Sequence, residues 1–225
     1  MSKLYPSKLL ENMDYEAYWQ IRQGRPYPPR VYEITPLIES NSSVLDIGCG
    51  DGELFRYAKD KVSRLQWEGV DISETALRKS RAAGMLCRQG DISKSDFQIH
   101  QTYDYIVISE VLEHIANPED VLSKARGHFR KSLILTVPNI AYYKHRFRMM
   151  GGRFPVQWQW HPSEHIRFWS LVDFDQFLKE QGFPKFRKLS TNGFPYENAR
   201  SPMWHRLWPN LLAEGAVYVI SAGSE

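Results

Sequence analysis

Val44-Leu45-Asp46-Ile47-Gly48-Cys49-Gly50-Asp51-Gly52 decides how the rest of the chain is read. Residues suited to a buried strand run into glycines at alternate positions, and Glu53-Leu54-Phe55-Arg56-Tyr57-Ala58 then reads as helix. A strand that turns this sharply into a helix is expected to leave backbone N–H groups pointing at a crevice. Glycines carry no Cβ, so a flat or bulky ligand could lie against the main chain. A dinucleotide fingerprint would place glycines at 48, 50 and 53, but residue 53 is Glu.

Outward from the turn, Val31 to Glu39 reads as a helix before strand one. Leu65 to Asp71 reads as strand two and ends in an acid about twenty residues on, where a carboxylate meets ribose hydroxyls in a βαβ nucleotide unit. Ser73 is the expected N-cap of the next helix. Met85 to Gln89 is strand three, followed by Gly90-Asp91-Ile92; Tyr103 to Ile108 and Ser132 to Val137 are strands four and five. Strands alternating with helices predict an α/β, doubly wound, mostly parallel sheet. Asp173 to Gln181 reads as a helix stopped by Gly182. Lys185 to Ser190 and Ala216 to Ser221 then close the sheet as an antiparallel pair, for seven strands in all. Tyr15 to Ile21 reads as a short amphipathic helix, broken by the prolines that follow.

At 225 residues the chain suits one α/β domain with decorations. A net charge of +3 makes no demand for nucleic acid. Two cysteines, Cys49 and Cys87, build no disulfide framework, which fits a reducing, cytoplasmic setting. Nothing in the N-terminal sequence has the apolar core of a signal peptide. No apolar run approaches the roughly 20 residues that span a bilayer. Seven Trp, twelve Tyr and eleven Phe, many outside the glycine-turn half, predict a substrate end lined by rings.

The order Asp46-x-Gly48-x-Gly50-x-Gly52, followed by Asp71, Asp91-Ile92 and the run to Asn139, resembles the class I S-adenosylmethionine-dependent methyltransferases, in particular their small-molecule branch. The resemblance implies a Rossmann-like fold and S-adenosylmethionine as cofactor. It assigns the cofactor to Asp46, Gly48, Cys49, Gly50, Asp71, Ile72, Asp91, Ile92, Ser109 and Glu110. Asp91 would accept from the adenine amino group while Ile92 packs on the ring. The chain then divides into an N-terminal helical cap (1–40), a cofactor-binding core (41–137), a substrate-end insertion (138–170) and a segment completing the same sheet (171–225). Tyr15, Tyr18, Trp19 and Arg22 are candidates for the cap over the cleft, and packing outside the sheet fits them equally.

Val137-Pro138-Asn139 through Gly151-Gly152-Arg153-Phe154-Pro155 resembles MetW, as does the placing of Leu171-Val172-Asp173-Phe174. MetW is associated with homoserine acyltransferases, which supplies a second functional class, a cofactor-binding partner of another enzyme. Ser109-Glu110-Val111-Leu112-Glu113-His114 departs from MetW. It is similar to the small-RNA 2′-O-methyltransferases and the ubiquinone-pathway O-methyltransferases, where the pattern can hold a divalent metal near the acceptor hydroxyl. On a helix, positions 110, 113 and 114 share a face. His161 and His165 offer a further ligand, and His165 fits better. The implied metal set is Glu110, Glu113, His114 and His165, suiting Mg²⁺, Mn²⁺, Fe²⁺ or Zn²⁺. In the alternative, the two glutamates shape the cleft entrance and His114 hydrogen-bonds or touches substrate.

The expected reaction is O-methylation of a small-molecule hydroxyl, with His114, joined by His165, as general base. The acceptor could be phosphorylated or sugar-like, and a homodimer stays open. Lys144-His145-Arg146-Phe147-Arg148, with Arg153, could grip an acidic group or be a solvated helix face.

Overall fold

The computed structural model describes residues 13–22, 26–155, 164–193 and 207–223. The strands are β1 Ser43–Ile47, β2 Gln66–Asp71, β3 Leu86–Gln89, β4 Tyr103–Ser109, β5 Phe129–Pro138, β6 Arg187–Gly193 and β7 Ala213–Ser221. They form one sheet in the order β3-β2-β1-β4-β5-β7-β6. β1 to β5 pair in parallel, and β7 runs antiparallel between β5 and β6. The observed class is the expected one: α/β, doubly wound, seven strands, with an antiparallel closing pair.

The helices are α1 Tyr15–Ile21, α2 Pro29–Ile34, α3 Glu53–Ala58, α4 Glu74–Ala82, α5 Pro118–Ala125, α6 Tyr143–Met150, α7 Leu171–Glu180 and α8 Pro209–Leu212. Alternation along the central strands divides the core. Leu45, Ile106 and Leu133 face α5 and α7 through Val121, Leu122, Phe174 and Leu178. Their neighbours Val44, Val107 and Ile134 pack with Val31 and Ile34 of α2, Leu54 of α3 and Leu77 of α4. Strands buried on both faces read as continuous apolar runs, which is why they were visible in the sequence.

Helix boundaries follow local chemistry. Ser73 caps α4 by accepting from Ala76 N at 3.2 Å. Ser170 and Asp173 make a reciprocal capping box at the start of α7. The helix expected over Val31 to Glu39 instead begins at Pro29, a favoured first-turn position, and tightens to a 3₁₀ turn at Thr35–Leu37, where Pro36 sits. The strand order reverses between β1 and β4, so the crevice beyond their carboxyl ends is where this architecture binds ligands.

Candidate functional site

A cavity of about 960 Å³ opens along those carboxyl ends. Gly48, Cys49 and Gly50 line it from the turn after β1, Asp71 and Ile72 from the end of β2, Asp91 and Ile92 after β3, and Ser109 and Glu110 after β4. Tyr15, Tyr18, Trp19 and Arg22 line it from α1. Sequence reasoning missed Arg30 and Glu53, which also line it and pair at 3.1 Å. An Arg and a Glu at a helix start look like ordinary surface residues until the fold brings them together.

The turn itself departs from expectation. Its amides are used internally: Gly48 N and Cys49 N donate to Val70 O at 2.7 and 3.1 Å, Gly50 N to Asp71 Oδ2 at 2.8 Å, and Gly52 N to Cys49 O at 3.0 Å. They are therefore not offered to an anion, which suits a ligand without a pyrophosphate. The absent Cβ atoms also matter differently. A Cβ on Gly48 (φ +73°) would lie 2.3 Å from Val111, and one on Gly50 (φ +54°) 2.5 Å from the Trp19 ring. The left-handed backbone and close packing of the protein on itself require glycine here.

Asp46 does not line the cavity. Strand alternation puts it on the Val44 side, buried beneath the turn. Burial pushes its carboxyl up to about 7, so it is no fixed partner for an ammonium group. From the turn and the start of α3, the acids that line the cavity are Asp51 and Glu53. Asp71 lines the cavity, and its oxygens accept from Gly50 N and, at 2.9 Å, Ser73 N. The Ile72 amide also stabilises its charge, and of the four acceptor sites on a carboxylate these amides leave some capacity for a ligand. Ile72 is 43% exposed beside Asp71, an apolar surface at the site.

After β4 the expected helix does not form. Glu110 adopts φ +55°, and Leu112–His114 is a single 3₁₀ turn. Glu110 is thereby turned towards β5: its N–H donates to Thr136 Oγ1 at 2.9 Å, and its Oε1 accepts from that hydroxyl at 3.0 Å. It stands outside the ligand cluster, correcting the four-residue set. Glu113, His114 and His165 do converge, with one potential ligand atom from each lying within 4.8 Å of the others. His161 lies outside the described residues.

Backbone pairing assembles this cluster. Ile166 N and Arg167 N both donate to Glu113 O, at 2.9 and 3.0 Å, pinning the segment that carries His165. His114 Nδ1 pairs with the Glu164 carbonyl. A carbonyl only accepts, so Nδ1 carries the proton and Nε2 keeps its lone pair, 3.9 Å from Glu113 Oε1. The two imidazole rings meet edge to face at 4.7 Å, and Tyr15 stands 6.4 Å from His114.

Burial dominates the electrostatics. It raises the Glu113 carboxyl well above its ordinary range, helped by the nearby Glu110 charge. It lowers His114, and it lowers His165 to about 3, with His114 adding to the effect. Both Glu113 oxygens and His165 Nδ1 are buried without a hydrogen-bond partner. Nothing local marked the carbonyl contacts of Glu113 and Glu164, because backbone acceptors have no sequence signature.

The family described as Methionine biosynthesis protein MetW matches residues 29–220. The chain belongs to the MetW family. A bifunctional MetXA/MetW protein of Rhodopirellula baltica is 25% identical over 159 residues, covering 64% of this chain and 25% of that one. An (S)-coclaurine N-methyltransferase of Thalictrum flavum is 30% identical over 110 residues, covering 47% of this chain and 30% of that one. The chain thus spans between 25% and 34% of the length of the curated relatives it matches. A SAM-dependent methyltransferase structure from Thermotoga maritima superposes with a TM-score of 0.61 at 17% identity, covering 86% of this chain and 87% of that one. The fold is that of the class I S-adenosylmethionine-dependent methyltransferases.

Proposed function

We propose that this MetW-family chain binds S-adenosylmethionine and transfers its methyl group to a small-molecule hydroxyl. One observation carries the reading: the glycine turn and the Glu113/His114/His165 cluster line a single cavity. The cofactor supplies a methyl group already activated on a sulfonium. What remains for the protein is alignment, worth about 7–11 kcal/mol in favourable cases, and removal of the acceptor's proton.

Each task has residues in place. The open acceptor sites on Asp71 suit a vicinal diol, while Asp91, Ile72 and Ile92 suit an adenine ring and its amino group. His114, its Nδ1–H held by Glu164, keeps Nε2 basic and neutral, as a general base requires. His165, lowered to about 3, serves better as a neutral donor of a lone pair than as a proton carrier.

A divalent cation fits the donor chemistry. Three buried ligand atoms lack partners, and both imidazoles are held neutral. Glu113, His114 and His165 would hold it, and Glu110 would not. Such an ion would occupy His114 Nε2, so it would act in place of the His114 base, by lowering the pKa of a hydroxyl beside it.

Calorimetric titration of S-adenosylhomocysteine into chelator-treated protein, repeated with Mn²⁺, tests the cofactor site first. Micromolar binding is expected. Failure to bind in either buffer would remove the methyltransferase reading. Mn²⁺ alone should raise the melting temperature of wild type and leave Glu113→Gln unmoved; equal response of the two would remove the metal. Given binding, transfer from methyl-labelled cofactor to a panel of hydroxyl and amine acceptors separates O- from N-methylation.

A second reading is favoured by the R. baltica relative, whose name joins MetXA to MetW. There this chain would bind cofactor and act mainly as the partner of an acyltransferase. Co-purification with a homoserine acyltransferase, together with no transfer to any acceptor, would select it.

A further inference from the structure

Helix α6 is mounted with its apolar side outward. Its eight residues, Tyr143–Met150, include none that is buried. Tyr143, Phe147 and Met150 are spaced i, i+4 and i+7, one stripe on a helix, and surface helices normally turn such a stripe to the core. Here Phe147 is 67% and Met150 81% exposed, while His145, on the opposite side, lines the main cavity. Phe154, just past the helix, is 59% exposed.

Charge on this element is of one sign. From Pro138 to Pro155 the chain carries Lys144, Arg146, Arg148 and Arg153 and no Asp or Glu, so an acidic surface meets no repulsion along it. Helical spacing puts Lys144 and Arg148 on one flank of the stripe and Arg146 on the other. Two of these guanidiniums are oriented by carbonyls: Arg146 Nε donates to Ala141 O at 2.6 Å and Arg148 Nε to Phe154 O at 2.8 Å. Arg146 Nη2 also reaches Asn210 O at 3.5 Å, and each guanidinium keeps further N–H donors beyond these bonds.

We propose that α6 and the turn to Phe154 form a docking surface for an anionic lipid bilayer. The exposed apolar side chains would enter the boundary between headgroups and acyl chains, and the flanking cations would meet lipid phosphates. The charge complementarity selects this occupant: a stripe flanked on both sides by cations, with no acid, matches a plane of phosphates over hydrocarbon. Because His145 also borders the basic hollow of Lys144, Phe147, Arg148, Gly151 and Arg153, the docked face adjoins the cavity mouth. The proposal does not depend on methyl transfer. Nor does it involve spanning: among the described residues, no helix is long and apolar enough to cross a membrane.

Flotation of the full chain with vesicles tests it. Binding is expected to phosphatidylcholine vesicles carrying about 30 mol% phosphatidylglycerol, at least roughly tenfold weaker to phosphatidylcholine alone, and weakened by salt. The Phe147→Ser/Met150→Ser variant and the Lys144→Glu/Arg153→Glu variant should each lose roughly tenfold or more in binding. Both keep the core intact, so melting temperature and S-adenosylhomocysteine affinity should stay at wild-type values. Absence of binding to anionic vesicles at low salt would overturn the proposal. So would vesicle binding that either variant leaves unchanged, or tighter binding to homopolymeric RNA than to the vesicles.

Discussion

Asp46 shows how one buried side chain couples this fold to pH. Burial holds its carboxyl up to about 7, against 3.8 for a free carboxyl. Between those values the folded chain binds a proton that the unfolded chain has released. Stability therefore falls as pH rises through that window. At about 1.4 kcal/mol per pH unit the full effect is roughly 4 kcal/mol. Asp46→Asn keeps the neutral shape and should flatten the loss; what slope remains sums the other raised carboxyls, Glu113, Asp71 and Glu53, and the lowered imidazoles, which act in the opposite direction. Urea unfolding at pH 5 and pH 8 measures it. If wild type and Asp46→Asn lose equal stability between the two, Asp46 is ionised in the fold. The sequence marked Asp46 as important and misjudged its direction. Strand alternation placed it inward, a consequence of register that the glycine motif alone does not reveal.

At the scale of elements, α1 is held over the site by polar ties more than by core packing. Glu16 accepts from Glu74 N at 2.7 Å and Thr75 N at 3.0 Å, at the amino end of α4, where a carboxylate also meets the helix dipole. Lys79 donates back to the carbonyls of Trp19 and Arg22. Trp19 lies against Gly50. Glu16 is half-buried, so the tie is partly screened. Its removal should loosen α1 without unfolding the sheet. Glu16→Ala should speed amide exchange across Tyr18 to Ile21, leave the melting temperature within about 2–4 °C of wild type, and weaken S-adenosylhomocysteine binding several-fold. Unchanged exchange would show that Trp19 and the Lys79 ties hold α1 without Glu16. The helix itself was legible at its observed limits, Tyr15–Ile21, from its amphipathic pattern, and the structure adds Asp14 as its cap. The segment after β4 was not. Glu-x-x-Glu-His suits a helix, but Glu110 takes a left-handed backbone conformation that its residue type does not announce, and that single dihedral removes Glu110 from the cluster.

For the whole molecule, the cavity belongs to no single segment: its walls come from α1, the start of α2, the ends of β1, β2 and β4, the turn after β3, the 164–166 segment ahead of α7, and the facing parts of β6 and β7. Central strands with two buried faces write their own pattern into the sequence, whereas a site assembled from residues 15 to 215 is readable only where a motif happens to lie. Such a site exists only in the folded chain, so a ligand that fills it should stabilise the whole fold by simple linkage. At S-adenosylhomocysteine concentrations near 100 times the dissociation constant, the gain is about 2.7 kcal/mol. For a chain of this size that corresponds to a rise of roughly 5–11 °C in melting temperature. Adenosine, which lacks the amino-acid end of S-adenosylhomocysteine and so fills less of the cavity, should bind more weakly and need higher concentration for the same shift. The sheet is continuous, with β7 paired on both edges, so β6 and β7 should melt with the rest in one transition that moves as a unit. Scanning calorimetry over a ligand series reads all of this at once. A melting temperature that stays fixed at millimolar S-adenosylhomocysteine would mean that the cavity is not its site.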